Sequence, residues 1–266
     1  MNLPRAVAVD MDGTFLRPDM DYDRERFALL RQVLTEAGCR FVVASGNQYA
    51  QLASFFDAPE RLSFVAENGG LVVDAGTLVH VTVLDAEAIS AALDAFDALP
   101  DADVALCGVR SAYLRFPDAR SRPPLSPSYH RLTTVDDLRA VDDRIVKITA
   151  VCPPAATPAV MAHLMPRVAG RLMVTSSGHG SVDLIAPGAH KAAGLRVLTD
   201  AWGVDLADVV AFGDGGNDLE LLRACGRSFA MANGSPACLA AATDVAPPNS
   251  SDGVLVALEA LFHTEG

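Results

Sequence analysis

Two short apolar runs constrain this chain more than anything else in it: RAVAVD at Arg5 to Asp10, and DVVAFGD at Asp208 to Asp214. Each reads as a buried strand that closes on an aspartate. A glycine-rich polar loop follows both, MDGT after Asp10 and GGND after Asp214. Apolar strands of this kind belong to parallel sheets covered by helices on both faces. Open α/β sheets bind ligands at the carboxyl ends of such strands. The two ends of the chain can therefore bring carboxylates to one crevice.

The segments between support that architecture. After the loop at MDGTFLRPDMD, the spacing of Phe27, Leu30, Val33 and Leu34 predicts a helix that stops near Gly38. Arg40 to Ala44 predicts a second strand, closed by Ser45-Gly46-Asn47, and a helix over about Gln48 to Phe56 follows. SFVAEN predicts a third strand, ending at Glu67-Asn68-Gly69-Gly70. This strand, crossover, strand alternation implies a parallel sheet. Leu71 to Val83 reads as a hairpin turning at Asp74-Ala75-Gly76.

The middle of the chain has another grammar. A helix over about Asp85 to Ala98 leads to the strand VALCGV and a Pro- and Ser-rich loop from Phe116 to Tyr129. IVKITAV and RLMVTSSG are further strands, with a helix near Pro158 to Met165 between them. Such a mixture implies an α+β insert near residues 83 to 183. After Pro187 the first grammar returns. A helix over Lys191 to Trp202 precedes DVVAFGD, and GGNDLELLRACG makes a loop and helix. The strand RSFAMA, the helix SPACLAAA, the short strand Thr243 to Ala246 and the helix VLVALEALF complete the chain.

Composition excludes some functions. Of 266 residues, 21 are Lys or Arg and 33 are Asp or Glu, a formal net charge of −12. That balance opposes non-specific attachment to nucleic acid or to an anionic membrane. It leaves room for a small phosphorylated metabolite, because a metal and a few local cations can reverse the potential inside a pocket. Cys39, Cys107, Cys152, Cys225 and Cys238 are widely spaced and odd in number, which suits free thiols. The N-terminal MNLPRAVAVDMDG meets its carboxylates too early for a signal peptide or a membrane span. A cytoplasmic protein is the expectation.

The polar strand ends suggest a division of labour. Asp10, Asp214 and Asp218 supply hard oxygen ligands suited to Mg²⁺, and a divalent cation would relieve their repulsion. One of these carboxylates can then attack phosphorus. Asp12, two residues beyond Asp10 in a loop, is suited to protonate a leaving group and later accept a proton from water. Gly13 permits a tight turn whose N–H groups face phosphate oxygens. Ser45 and Lys191 are donors of the kind that surround a transferring phosphoryl group. Singly, each residue has an ordinary explanation as a turn, a cap or a solvated side chain. The four segments DMDGT, SGN, PGAHK and GDGGND, in order and each at an α/β boundary, do not. Lys147, in IVKITAV, reads as a solvated lysine, with a place facing substrate as the alternative. His163 and His179 read as surface or structural residues.

Together these segments resemble the haloacid dehalogenase-like superfamily of phosphotransferases over the full length. DMDGT at Asp10 to Thr14 is similar to its first motif, Ser45 to its second, Lys191 in PGAHKAAGL to its third and GDGGND at Gly213 to Asp218 to its fourth. ENGG at Glu67 to Gly70, AMANG at Ala230 to Gly234 and the inserted middle domain resemble the Cof-type branch with a type IIB cap. FVVASGNQ, SFVAENGG, SAYL, YHRL and VTSSGHGSVDLIAPGAHKA resemble its bacterial sugar phosphatases. The resemblance implies a three-layer Rossmann-like α/β core from residues 1–82 and 184–266, with a cap at 83–183. It implies Asp10 as nucleophile, Asp12 as general acid and base, and Ser45 and Lys191 as holders of the phosphoryl group. Gly13, Thr14, Gly46 and Asn217 would complete the binding pocket, with Asn217 touching phosphate. Mg²⁺ would be held by Asp10, Asp214 and the Asp12 backbone carbonyl, with Asp218 supporting the metal or orienting Lys191. Asn47 stands where the wider family has Arg, a departure that these sugar phosphatases share. The implied function is Mg²⁺-dependent hydrolysis of hexose or pentose monophosphates through an aspartyl-phosphate. A phosphomutase, a phosphatase for flavin mononucleotide or pyridoxal phosphate, and a non-catalytic sugar-phosphate sensor are the alternatives.

Overall fold

Alternation of small and large residues along the first strands decides how their two faces are covered. In the computed structural model, which describes residues 3–99, 101–115, 129–178 and 180–263, β1 (Ala6–Val9), β2 (Arg40–Ala44), β3 (Ser63–Ala66) and β12 (Val209–Gly213) pair in parallel. Val7, Val9, Phe41, Val43, Phe64, Val210 and Phe212 point to one face. There they meet Phe27, Leu30 and Leu34 of the Arg24–Glu36 helix and Leu255 and Leu258 of the Gly253–His263 helix. Ala6, Ala8, Val42, Ala44 and Ala211 point to the other, where their small side chains admit Leu195 and Leu198 of the Lys191–Trp202 helix. Each large apolar side chain fully buried this way contributes about 1.5–3 kcal/mol relative to exposure.

The full sheet has eight strands in the order β14-β13-β12-β1-β2-β3-β4-β5, where β13 is Arg227–Met231 and β14 is Asp244–Ala246. Six strands run parallel. The expected hairpin, β4 (Leu71–Asp74) and β5 (Thr77–Val81), adds two antiparallel strands at one edge, so the sheet is mixed. The third strand also ends earlier than its sequence suggests. Glu67 and Asn68 leave the ladder with φ of 51° and 55°, and their N–H groups bond the carbonyls of Asn47 and Ser45.

A second, six-stranded sheet has the order β10-β11-β9-β6-β7-β8. Its strands are β6 (Asp103–Gly108), β7 (Ala112–Arg115), β8 (Leu132–Val135), β9 (Ile145–Val151), β10 (Met173–Gly178) and β11 (Ser181–Ile185). β11 runs through Ile185. Leu106, Ile148, Ala150, Val182 and Leu184 face the helices Ala86–Phe96 and Thr157–Leu164. Strand alternation sends Lys147, Thr149 and Asp183 to the opposite face, toward the eight-stranded sheet. The loop expected from Phe116 to Tyr129 falls almost wholly outside the described residues, as does His179. Among the described residues, no helix is long and apolar enough to cross a membrane.

Candidate active site

Because β12, β1, β2 and β3 are parallel neighbours, their carboxyl ends share one edge of the sheet. Asp214, Asp10, Ser45 and Glu67 follow those ends in turn. The Lys191–Trp202 helix brings Lys191, with 0% of its surface exposed, to the same edge. His190 caps this helix by accepting the Ala193 N–H on its ring Nδ1. Lys191 Nζ lies 2.5 Å from Asp10 Oδ1 and 2.6 Å from Asp218 Oδ1. The other Asp218 oxygen, Oδ2, accepts the backbone N–H groups of Asp214 at 3.0 Å and Gly215 at 2.9 Å. Asp218 thus orients the lysine and fixes the loop at once.

Thr14 Oγ1 donates to Asp214 Oδ1 at 2.7 Å. Gly13 has φ +78°, and a Cβ there would come within 2.5 Å of Asp214 Oδ2. Glycine is required both by the left-handed backbone and by the carboxylate pressed against it. Carboxylate oxygens of Asp10, Asp214 and Asp218 all lie within 4.8 Å of one another. Burial first, and then the charges of Asp218 and Asp214, push Asp10 well above the usual carboxylate range against the pull of Lys191. Asp214 is also raised, by burial, with the Thr14 hydrogen bond opposing. Burial would lower Lys191, but Asp10 and Asp218 outweigh it and hold the ammonium above its ordinary pKa. Three carboxylates around one ammonium leave surplus negative charge, which is the donor set and the charge deficit that a hard divalent cation fits.

Asp12 stands outside that cluster. Its Oδ2 accepts from Asn47 Nδ2 at 2.5 Å, and the Asn47 N–H bonds Ser45 Oγ at 3.2 Å. Asn217 Nδ2 donates to Asn68 Oδ1 at 2.9 Å. Asp10, Asp12, Thr14, Ser45, Lys191, Asp214 and Asp218 thus gather at one sheet edge, with Asn217 tied in through Asn68. The solvated reading of Lys147 is overturned: it is 2% exposed, with Nζ 2.6 Å from the Gly46 carbonyl and 2.8 Å from Glu67 Oε2. Asn68 and Thr149 both donate to Asp183 at 2.7 Å. Asp183 went unnoticed in the sequence, and Glu67 was read only as part of a strand end and of the ENGG segment, with no partner. For Asp183 and Lys147 the available signal was a charge at an inward position of an otherwise apolar strand, SVDLI and IVKITAV. Glu67, in the turn after β3, offered no such signal. His163 bonds the Ala95 carbonyl away from this edge.

A family model for haloacid dehalogenase-like hydrolases matches residues 7–258. The chain belongs to that family. Over 263 residues this hydrolase is 41% identical to the 5-amino-6-(5-phospho-D-ribitylamino)uracil phosphatase YbjI of Escherichia coli strain K12, covering 98% of this chain and 97% of the relative. A crystal structure from Streptococcus mutans UA159 superimposes with a TM-score of 0.90 at 33% identity, covering 97% of this chain and 98% of the other. The fold is also that of a solved HAD subclass IIB sugar phosphatase, with a TM-score of 0.78 at 18% identity and coverage of 96% and 98%. The α/β architecture and the resemblance to this superfamily therefore hold.

Proposed function

We propose that this hydrolase is a Mg²⁺-dependent phosphatase of small phosphate monoesters with a sugar or sugar-alcohol leaving group, working through a phosphorylated Asp10. The observation that carries the reading is Asp10 and Lys191 in contact at the carboxyl edge of β1, with Asp12 two residues on and separately held by Asn47. A purely structural role would explain an ion pair. It would not explain surplus buried carboxylates beside it, which cost stability unless a cation or chemistry uses them.

In the proposed reaction Asp10 attacks phosphorus while the P–O bond to the leaving group breaks, and Asp12 gives that oxygen its proton. Asp12, now a carboxylate, takes a proton from water as the water oxygen attacks the phosphorus of the aspartyl-phosphate. The acyl phosphate P–O bond breaks, returning Asp10 as a carboxylate and releasing inorganic phosphate. Lys191 and Ser45 stabilise charge on the phosphoryl oxygens, and Asn217 adds a further donor. Asp10, Asp214 and the Asp12 carbonyl would hold Mg²⁺, with Asp218 behind them, and the bound ion would neutralise charge on the phosphoryl group. The residues from 83 to 185 act as a cap that limits water access.

The leaving-group class rests on the 41% identical relative, whose named substrate carries a 5-phosphoribityl chain. The test is phosphate release across a panel with Mg²⁺ present. It includes 5-amino-6-(5-phospho-D-ribitylamino)uracil, hexose and pentose phosphates, flavin mononucleotide, pyridoxal phosphate and nucleotides. Highest kcat/KM on a polyol or sugar phosphate is expected. A preference for nucleotides, or isomerisation of phosphosugars without phosphate release, would reject it.

A further inference from the structure

The turn Ser45-Gly46-Asn47 is held from outside by three donors, one for each carbonyl. Asn68 N–H bonds the Ser45 carbonyl and Glu67 N–H the Asn47 carbonyl, both at 3.1 Å. The middle carbonyl, of Gly46, takes the Lys147 ammonium at 2.6 Å. Two of the donors sit on one neighbouring turn, and their left-handed backbone aims both N–H groups at it. A left-handed Glu or Asn costs energy, and such strain persists only where surrounding contacts enforce it. The third donor arrives from β9, in the other sheet and 101 residues away. Lys147 also pairs with the Glu67 carboxylate at 2.8 Å and lies 3.8 Å from Asp183. One buried ammonium thus joins both turns to the six-stranded sheet.

The held turn carries two groups that the proposed chemistry uses. Ser45 supplies its hydroxyl, and Asn47 fixes Asp12 through the 2.5 Å bond to its carboxylate. A Cβ on Gly46 would approach Asn68 Oδ1 to 2.9 Å, so the turn has little room to shift against its support. A second link runs from Asp183 in β11 through Asn68 to Asn217, again from the six-stranded sheet into the site.

Resting on the phosphatase reading above, we infer that Lys147 is a positioning residue: from the inserted sheet it locks the Ser45–Asn47 turn, and through Asn47 it sets Asp12 for proton transfer. Docking of the insert and alignment of the proton donor are then one event. The proton on Asp12 is available in the right place only while the six-stranded sheet is seated. Lys147 itself touches no reacting atom. Its contribution should scale with how much the leaving group needs a proton.

The test uses Lys147→Met and, because that change strands Glu67 and Asp183 without their cation, the double variant Lys147→Met/Glu67→Gln. The double variant is expected to melt near the wild type. Hydrogen–deuterium exchange at the amides of 45–47 and 67–68 should nevertheless speed up by roughly 10-fold, because their shared tie is gone. Turnover of an alkyl sugar phosphate should fall by roughly 10–10²-fold, the scale of a misplaced catalytic group. The loss should be clearly smaller for p-nitrophenyl phosphate, whose leaving group departs without a proton, and the Mg²⁺ dependence should not move. Wild-type exchange at 45–47, or equal losses for the two leaving groups in an active protein, would overturn the inference. If the wild type releases phosphate from no monoester, the phosphatase reading falls by itself. The exchange measurement then still decides whether Lys147 holds the turn.

Discussion

Two buried lysines, each set between two buried carboxylates, have different surroundings in this hydrolase. Lys191 contacts Asp10 and Asp218, and a third carboxylate, Asp214, stands within the same 4.8 Å cluster. Lys147 pairs with Glu67, while the nearby Asp183 is satisfied separately by Thr149 and Asn68. The first cluster is over-supplied with negative charge, and its Asp10 and Asp214 are held protonated more firmly than ordinary carboxyls. In the second, Asp183 accepts from Thr149 and Asn68, and Glu67, whose Oε2 makes no hydrogen bond, is held by its ion pair with Lys147. The Lys191 cluster thus carries one more carboxylate per ammonium than the Lys147 cluster, and the larger surplus is what a cation or a reaction would use. The contrast is the physical ground for proposing chemistry at the first cluster and positioning at the second.

The largest effect that would sharpen this contrast is loss of the proposed nucleophile. Asp10→Asn should abolish turnover, by at least about 10⁴-fold at saturating substrate, as expected when a residue acting as part of a unit is removed. Glu67→Gln, the matching change in the other cluster, should leave measurable activity. Steady-state assays after removal of contaminating phosphatases check both, and an active Asp10→Asn enzyme would break the comparison.

Next in size is Asp12→Asn. Its proposed metal contact is a backbone carbonyl, so metal binding should survive while turnover falls by about 10²–10⁴-fold, the usual worth of a positioned acid or base. The loss should shrink for p-nitrophenyl phosphate. Beryllium fluoride with Mg²⁺ should label Asp10 and leave Asp12 unlabelled, as read by mass spectrometry or crystallography.

Metal linkage gives a smaller but cleaner distinction. Mg²⁺ at 100 times its Kd should stabilise the native state by about 2.7 kcal/mol, visible as a rise in Tm. Asp214→Asn should remove most of that rise and, by relieving repulsion, should make the metal-free protein no less stable than wild type. Lys147→Met/Glu67→Gln should retain the rise. Equal Mg²⁺ responses in all three proteins would erase the distinction between the clusters.

The smallest effect is a pH slope. Burial raises Glu67 above its ordinary value despite the opposing pull of Lys147. A carboxyl raised on folding contributes stability that is full below its unfolded pKa of about 4.3 and is lost as pH rises through the folded value. The stability of Glu67→Gln relative to wild type should therefore increase as pH rises across that window. Chemical denaturation at several pH values measures the difference, and a difference that falls with pH would reverse the sign.

Much of the core was legible in the sequence because it depends on local periodicity. The short apolar run RAVAVD predicted a buried strand, and the helix expected over Lys191 to Trp202 has those bounds. The strand ends Asp10, Ser45 and Asp214 were readable too, since parallel strands present their carboxyl ends on one side. Lys147 misled the reading because lysines are seldom fully buried unless paired, and its partners Gly46 and Glu67 lie far off in the chain. The direction of the β4–β5 hairpin followed from its short turn, but its attachment to β3, which makes the sheet mixed, did not.

What the sequence determined by itself was the elements of the eight-stranded core and the four polar segments at their ends, because apolar spacing and glycine placement act within a few residues. β7, β8 and β11 of the six-stranded sheet were not read from it. Only the tertiary structure decided which charges share a partner. Lys147 meets Gly46 across 101 positions and Asn68 meets Asp183 across 115. Those contacts arise where two sheets dock, and a buried charge is stable there only because the partner's atoms arrive at hydrogen-bond distance. That condition is set by geometry between distant segments, and no local pattern of residues encodes it.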